Sequence, residues 1–265
     1  MAEKYSIESY ERPSVAADAV VFGIDTEKSS SKNRLDKKKL KILLIKRGED
    51  PFEGMYALPG GFLRKGETIE ETALREFKEE AGVIYPKILL SGVYSKSDRD
   101  PRGWIISNAF LALTKTVELV TDAHSDAVEA QWFDFFYSEN GGDAIITLSD
   151  DKMREISLKF QAGISCGGGI AFDHAQIIYD AYKRLRSEVV EHGMIFDLLP
   201  EKFTISDLRQ PFETIAGVST SYQNFRKKIM DQIEEVDEFE TGASHRPSRL
   251  YRKRGNDHDE NFSGN

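Results

Sequence analysis

Only one cysteine, Cys166, occurs in 265 residues, so no intramolecular disulfide braces the fold, and a lone thiol of this kind reads as incidental rather than catalytic. Long hydrophobic runs are missing as well. No segment approaches the roughly 18 uninterrupted apolar residues of a membrane-spanning helix. The opening MAEKYSIESYERPS has no apolar core of the kind a secretory leader carries, and the expected location is cytoplasmic. Positive charge is in deficit: a net charge of −9 excludes indiscriminate nucleic-acid binding by the whole surface and leaves that role to local basic patches. Three glycines at 167–169 lack both the GK[ST] sequel of a phosphate loop and the full GxGxxG spacing, which leaves a flexible turn. What remains is a chain with 40% hydrophobic residues, long enough for two domains with substantial cores.

The most informative stretch runs from Gly61 to Val83, GFLRKGETIEETALREFKEEAGV. Thr68 followed three residues later by Glu71 reads as a capping box, and Gly82 as a C-terminal stop, so a helix is predicted over Ile69–Ala81. At 3.6 residues per turn Glu76, Glu79 and Glu80 share one face, while Leu74, Phe77 and Ala81 form an adjacent apolar stripe for packing. Carboxylates this close repel one another by a few tenths of a kcal/mol per pair. They are either solvated or matched by a cation, and taken alone an acidic helix is usually a solvated face.

The fixed positions decide between these readings. Gly61, Glu67, Arg75, Glu76, Glu79, Glu80 and Gly82 stand at the spacing of the Nudix box, and seven such matches arise by chance on the order of once in 10⁸ starting points. The segment resembles that box in every fixed position; Phe77 stands where the family more often has an aliphatic residue. The resemblance implies a mixed sheet between helices and a pyrophosphohydrolase acting on a nucleoside diphosphate linked to another group. It also implies Mg²⁺ or Mn²⁺ held by Glu76, Glu79 and Glu80. Glu67 and Arg75 are implied either as a pair that orients the loop on the helix or as direct participants. A hard cation that keeps several waters and bridges substrate phosphates suits such an open cradle.

Around the box, strands are predicted at Val15–Ile24, Leu40–Ile45, Lys87–Tyr94, Trp104–Leu113 and Ala127–Phe133, with a long polar connection over 25–39. The loop Ser97–Trp104, SDRDPRGW, offers Arg99 and Arg102 as phosphate-binding forks. It resembles the DPRG loop of Nudix proteins that act on or sense ADP-ribose, which implies a substrate-binding set of Gly61, Arg99, Asp100 and Arg102. A second loop, Thr121–Glu129, offers Asp122, Asp126 and Glu129, unranked, as a general base or as solvent-facing carboxylates. His174, beside Asp173, reads as a cap or packed histidine at the start of a helix predicted over Gln176–Glu191.

The C-terminal third reads differently. Phe196 opens an apolar stretch, Thr204 starts a helix, Gly217 turns the chain, and STSYQNFRKKIMDQ supplies a second helix. Val236 and Phe239, a turn near Gly242, and RLYRKR from Arg249 complete a two-stranded wing. Arg226, Lys227 and Lys228 fall on the second helix, with Arg246, Arg249, Arg252, Lys253 and Arg254 at the wing, as a phosphate-contacting patch for double-stranded DNA. Glu234, Glu235, Asp237, Glu238 and Glu240 set a negative field beside it. LLPEKFTISDLRQPFE, QNFRKKI and RPSRLY after such a domain resemble the NrtR-like group, with His245 where that group often has glycine. The resemblance implies a Nudix α/β/α sandwich with a mixed sheet over 1–160 and a connecting segment over 161–194. A winged helix-turn-helix over 195–254 and a disordered tail follow, and a homodimer is the implied assembly. Two functions are carried forward: a metal-dependent hydrolase of ADP-ribose or a related compound, and an ADP-ribose-sensing transcriptional regulator.

Overall fold

The computed structural model describes residues 9–27, 37–81, 87–115, 127–240 and 248–255. It divides into two compact units, Met1–Asp25 with Lys39–Arg184, and Thr26–Lys38 with Leu185–Asn265.

The first unit is built on one sheet. Strand β1 (Ser14–Glu27) carries a continuous apolar run from Ala19 to Gly23 instead of alternating, the pattern of a strand covered on both faces, and it pairs in parallel with β6 (Ile105–Thr114). On its other side lies β2 (Lys37–Arg47). With β5 at Ile88–Tyr94, β7 at Ala127–Asn140, β8 at Asp143–Ser149, β9 at Glu155–Gln161 and β10 at Ile164–Ser165, the sheet order is β10-β9-β8-β7-β2-β1-β6-β5. Two short strands, β3 (Tyr56–Ala57) and β4 (Gly60–Phe62), add to β2 and β1 and deliver the chain to the helix. Antiparallel pairs beside the parallel one make the sheet mixed.

Helix α1 (Ile69–Ala81) has the predicted bounds. Thr68 and Glu71 exchange side-chain to backbone hydrogen bonds as a capping box, at 3.2 and 2.7 Å. Of the predicted apolar stripe Phe77 enters the core, whereas Leu74 is exposed and Ala73 is buried in its place. Phe77 packs with Ala19, Val21, Leu43, Ala112 and Trp132, and Ala73 with Ala17 and Phe110. Helix α2 (His174–Glu191) covers the opposite face, where Tyr182 meets Phe22 and Phe135. Alternate residues of β1 thus serve the two helices, as the period of two in a strand requires.

Strand β7 runs seven residues past the predicted Phe133. It closes a tight hairpin through Gly141 and Gly142, at φ 62° and 94°, where two successive positive φ values favour glycine. Three strands that the sequence pattern does not announce follow: β8 (Asp143–Ser149), β9 (Glu155–Gln161) and β10 (Ile164–Ser165). The glycine run after them is exposed, and within it Gly168 alone approaches a neighbour closely. Cys166 N–H donates to Lys159 O at 2.8 Å, and a Cβ at Gly168 would lie 2.5 Å from the Leu158 side chain.

The second unit opens with a 3₁₀ helix, Met194–Leu198, that buries Met194, Ile195, Phe196 and Leu198. Thr204 caps α3 (Ile205–Ala216) in a reciprocal box with Asp207, Gly217 ends it at φ 67°, and Ser221 caps α4 (Tyr222–Ile229). Phe212 and Phe225 join the helices at 5.0 Å between ring centroids. Strands β11 (Ile233–Phe239) and β12 (Arg249–Lys253) pair antiparallel as the wing, and Tyr251 exchanges backbone hydrogen bonds with Phe203. Among the described residues no helix is long and apolar enough to cross a membrane.

Candidate active site

A cleft of about 520 Å³ in the first unit is lined by residues of β1 and β4, the C-terminal half of α1, the 99–102 loop and the start of α2. Glu76, Glu79 and Glu80 all line it, as do Gly60 and Gly61. Arg75 organises the acidic side. Its Nε donates to Glu67 Oε1 at 2.8 Å and its Nη2 to Glu67 Oε2 at 3.1 Å, a two-pronged grip. Nη2 also bonds the Phe62 carbonyl, and Nη1 meets Glu76 and, at 3.3 Å, Glu79. The Arg75 hydrogen bonds draw the Glu67 carboxyl down to about 2. Burial pushes the Glu76 carboxyl up against the pull of Arg75. A side chain at Gly61 would collide with the Glu76 carboxylate, so glycine is needed there for close approach. Gly60 N–H donates to Glu80 at 3.0 Å.

Oxygen-only donors of this kind match a hard divalent cation. Among the described residues no three carboxylate, histidine or cysteine groups converge on one point, so the three glutamates form an open lining rather than a closed cage.

The 99–102 loop is arranged differently from a pair of free phosphate forks. Arg99 is buried and gives both Nε and Nη2 to Asp173, at 2.9 and 2.6 Å, with Asp18 at 3.6 Å. Burial opposes its charge, and the two carboxylates outweigh burial and hold it above its ordinary value. Arg102 folds back on Asp100, at 3.0 and 2.8 Å, yet stays 40% exposed toward the cleft and stacks near Phe62 and Phe172, at 5.2 and 5.1 Å. Burial raises and the Arg102 bonds lower the Asp100 carboxyl, with lowering the net result. Glu129 sits in β7, ion-paired with Lys152 at 3.2 Å, away from the cleft lining. Asp122 and Asp126 lie outside the described residues.

Several cleft residues carry no local motif. Asp18 lies in the middle of β1, and Arg47 follows β2's apolar run; Phe172 stands at φ 55° with Arg47 4.9 Å from its ring. His174 is a packed histidine, as its sequence context suggests, and also a cleft residue. Its Nδ1 accepts from Leu58 N–H at 2.9 Å, and burial lowers its pKa.

In the second unit Arg226, Lys227 and Lys228 lie in the last turn of α4, and Lys228 rests 4.9 Å from the Phe212 ring. Arg249 is on β12 with its guanidinium 4.9 Å from Phe239, and Arg246 lies outside the described residues. The acidic strand β11 faces these cations: Glu235 meets Arg226 at 3.5 Å and Arg249 at 3.4 Å, Glu234 pairs with Arg252, and Glu238 with Lys202 at 2.7 Å.

A mixed sheet between helices, with a glutamate-lined loop-helix cradle beside it, defines a Nudix fold, and comparison with known proteins agrees. Residues 33–136 match the NUDIX domain model, and residues 195–253 match the model described as the NrtR DNA-binding winged helix domain. An ADP-ribose pyrophosphatase of Methanocaldococcus jannaschii is 47% identical over 133 residues, 50% of this chain and 67% of that protein. An ADPR responsive transcriptional repressor, NtrR, of Acinetobacter baylyi is 27% identical over 264 residues, 98% of this chain and 89% of that one. The crystal structure of a MutT/nudix family protein from Enterococcus faecalis superposes with a TM-score of 0.71 at 32% identity, covering 92% of this chain and 88% of the other. The chain belongs to the Nudix family. Its C-terminal domain is the NrtR-type winged helix, which places it among the NrtR-like members.

Proposed function

We propose that the protein is a divalent-metal-dependent pyrophosphohydrolase of ADP-ribose or a closely related nucleoside diphosphate derivative. The observation that carries this reading is the complete acidic cradle: Glu76, Glu79 and Glu80 on one cleft, with Glu76 held in the space that Gly61 leaves and Arg75 clamped to Glu67. The 47% identity to a protein named ADP-ribose pyrophosphatase supports the substrate class.

Glu76, Glu79 and Glu80 are the residues that would hold Mg²⁺ or Mn²⁺, which when bound polarises a phosphoryl oxygen and lowers the pKa of a coordinated water. Arg75 fixes the Glu76 side chain and ties the helix to the carbonyl of Phe62, so the cradle is ordered before substrate arrives. Arg102 and Arg47 bring positive charge to the cleft, and Gly61, which lines it, leaves the space that the Glu76 carboxylate fills. Asp100 keeps Arg102 in place, and Arg99 braces the loop against Asp173. The test is a turnover panel of ADP-ribose, NADH, diadenosine polyphosphates and nucleoside triphosphates, with Mg²⁺, Mn²⁺ or chelator, for wild type and Glu79→Gln. Metal-dependent turnover greatest on ADP-ribose and abolished by the substitution supports the reading; metal-independent turnover or preference for triphosphates sinks it.

A second role is supported by the winged helix: a transcriptional regulator that binds double-stranded DNA and responds to ADP-ribose. Arg226, Lys227 and Lys228 cluster on the second helix of the helix-turn-helix, Arg249 stands on the wing, and the full-length relative is named an ADPR responsive repressor. Arg246, outside the described residues, joins the proposed set on its place in the sequence. Duplex binding that weakens on adding ADP-ribose supports this role, and duplex binding indifferent to ADP-ribose contradicts it.

A further inference from the structure

The cleft holds a donor and an acceptor that the carboxylate cradle does not use. Asp18 and His174 are 7% and 5% exposed, and both line the cleft beside Gly60, Gly61 and Glu76. The proton on His174 can be placed. Leu58 N–H can only donate, so Nδ1 is the acceptor, and the neutral ring carries its hydrogen on Nε2. Asp18 Oδ2 accepts from Ser107 and faces Arg99 at 3.6 Å. That leaves Asp18 Oδ1 and His174 Nε2–H, 3.7 Å apart, too far for a direct hydrogen bond, and neither atom bonds elsewhere among the described residues.

Neither atom is among the fully buried side-chain atoms that lack a partner, so this donor and this acceptor open on the cleft, where water or a ligand group meets them. The filling group must accept from Nε2–H and donate to a carboxylate oxygen. A phosphate oxygen cannot donate and is repelled by Asp18; an ammonium cannot accept; an apolar group leaves both unmet. A hydroxyl does both, resting within reach of each atom, and a water does so in the free protein.

We infer that Asp18 and His174 form a hydroxyl-recognition site for a sugar of the bound ligand. This inference rests on the reading that the cleft binds a sugar-linked nucleoside diphosphate, and it deepens it: the diphosphate is gripped at the cradle, and a sugar hydroxyl is read at Asp18 and His174. Sites built to bond a hydroxyl discriminate strongly against ligands lacking it.

The experiment is calorimetric titration of ADP-ribose and of inorganic pyrophosphate, with EDTA present so that binding is read without turnover. It compares wild type, Asp18→Asn and His174→Asn. Asparagine at 174 keeps an acceptor for Leu58 N–H and removes the Nε2 donor, so this variant carries the test if Asp18→Asn does not fold. Asp18→Asn is expected to weaken ADP-ribose binding by about 10- to 100-fold, the range for a hydrogen bond to a charged group, and His174→Asn by about 5- to 10-fold, within the range for a neutral pair; each is expected to leave pyrophosphate within about threefold. Unchanged ADP-ribose affinity, or parallel losses for both ligands, overturns the inference while leaving the functional reading intact. Wild-type protein that binds pyrophosphate but not ADP-ribose overturns the functional reading and, with it, the inference.

Discussion

Arg75 holds both carboxylate oxygens of Glu67, at 2.8 and 3.1 Å, and reaches Glu76 with its remaining nitrogen. One guanidinium therefore sets the position of a loop residue and of a cradle carboxylate together. A lysine presents a point charge and cannot reproduce this fork. Arg75→Lys is expected to lower kcat on ADP-ribose by about 10- to 100-fold, the usual size of effect for a residue that orients metal ligands. Steady-state kinetics check this; an unchanged kcat contradicts the positioning role. The Glu67 carboxyl, drawn down to about 2, carries its stabilising interaction above the ordinary carboxylate range and loses it only as pH falls toward that value.

Gly61 has no room for a side chain, because a Cβ there meets the Glu76 carboxylate. Gly61→Ala must displace Glu76 or the β4 backbone. The carboxylate is the far end of a side chain that can swing aside, so the substitution is expected to cost little stability and to act on turnover, with near-complete loss of kcat at a nearly unchanged thermal midpoint. A variant with wild-type activity would show that Glu76 does not need its observed place.

His174 is buried and neutral, with Asp18 and Asp173 raising its pKa and Arg99 and Arg47 lowering it, and burial is the dominant influence. The sign follows: its folded pKa lies below the unfolded value of 6.5, so the unfolded state takes up the proton first and stability falls as pH drops below about 6.5. The group contributes a slope of up to about 1.4 kcal/mol per pH unit. Chemical denaturation from pH 7.5 to 5.5 measures it, and His174→Asn should flatten the profile; equal slopes in both proteins contradict a neutral buried imidazole.

The box was legible because Thr68, Glu71 and the fixed glutamates act locally: a capping box and a helical period need no knowledge of the rest of the chain. The turn of α1 that buries Ala73 and exposes Leu74 depends on what β1 and β6 present, and local pattern does not contain it. The Arg99 side chain reads as a phosphate fork until Asp173, 74 positions away, is brought against it. Asp18 and His174 stand 156 positions apart and meet only because the segment leading into α2 docks on Tyr56 and Leu58 beside β1. Strands β8 and β9 bury Ala144, Ile146, Leu148, Leu158 and Phe160 in alternation. Exposed Ile145 between two of these blurs the period in β8.

Glu235 occupies both Arg226 and Arg249 in the second unit. Glu235→Gln releases the two arginines for phosphates, and each added phosphate contact steepens the slope of log affinity against log salt by about 0.9. Tighter binding to a duplex of arbitrary sequence, with a slope steeper by about one to two, is expected. Glu238→Gln, which removes an equal charge from the same strand but releases Lys202 instead, should leave the slope nearly unchanged. Equal effects from both substitutions contradict the Glu235 pairing.

Cutting a pyrophosphate, and not merely holding one, is the activity proposed for this cleft. Its most direct test follows ADP-ribose to products under single-turnover conditions with Mg²⁺, for wild type and Glu80→Gln, with binding measured in parallel. AMP and ribose 5-phosphate are expected from wild type, and a Glu80→Gln protein is expected to bind ADP-ribose but yield neither. Tight binding without product in wild type, or unchanged product formation in Glu80→Gln, would contradict it.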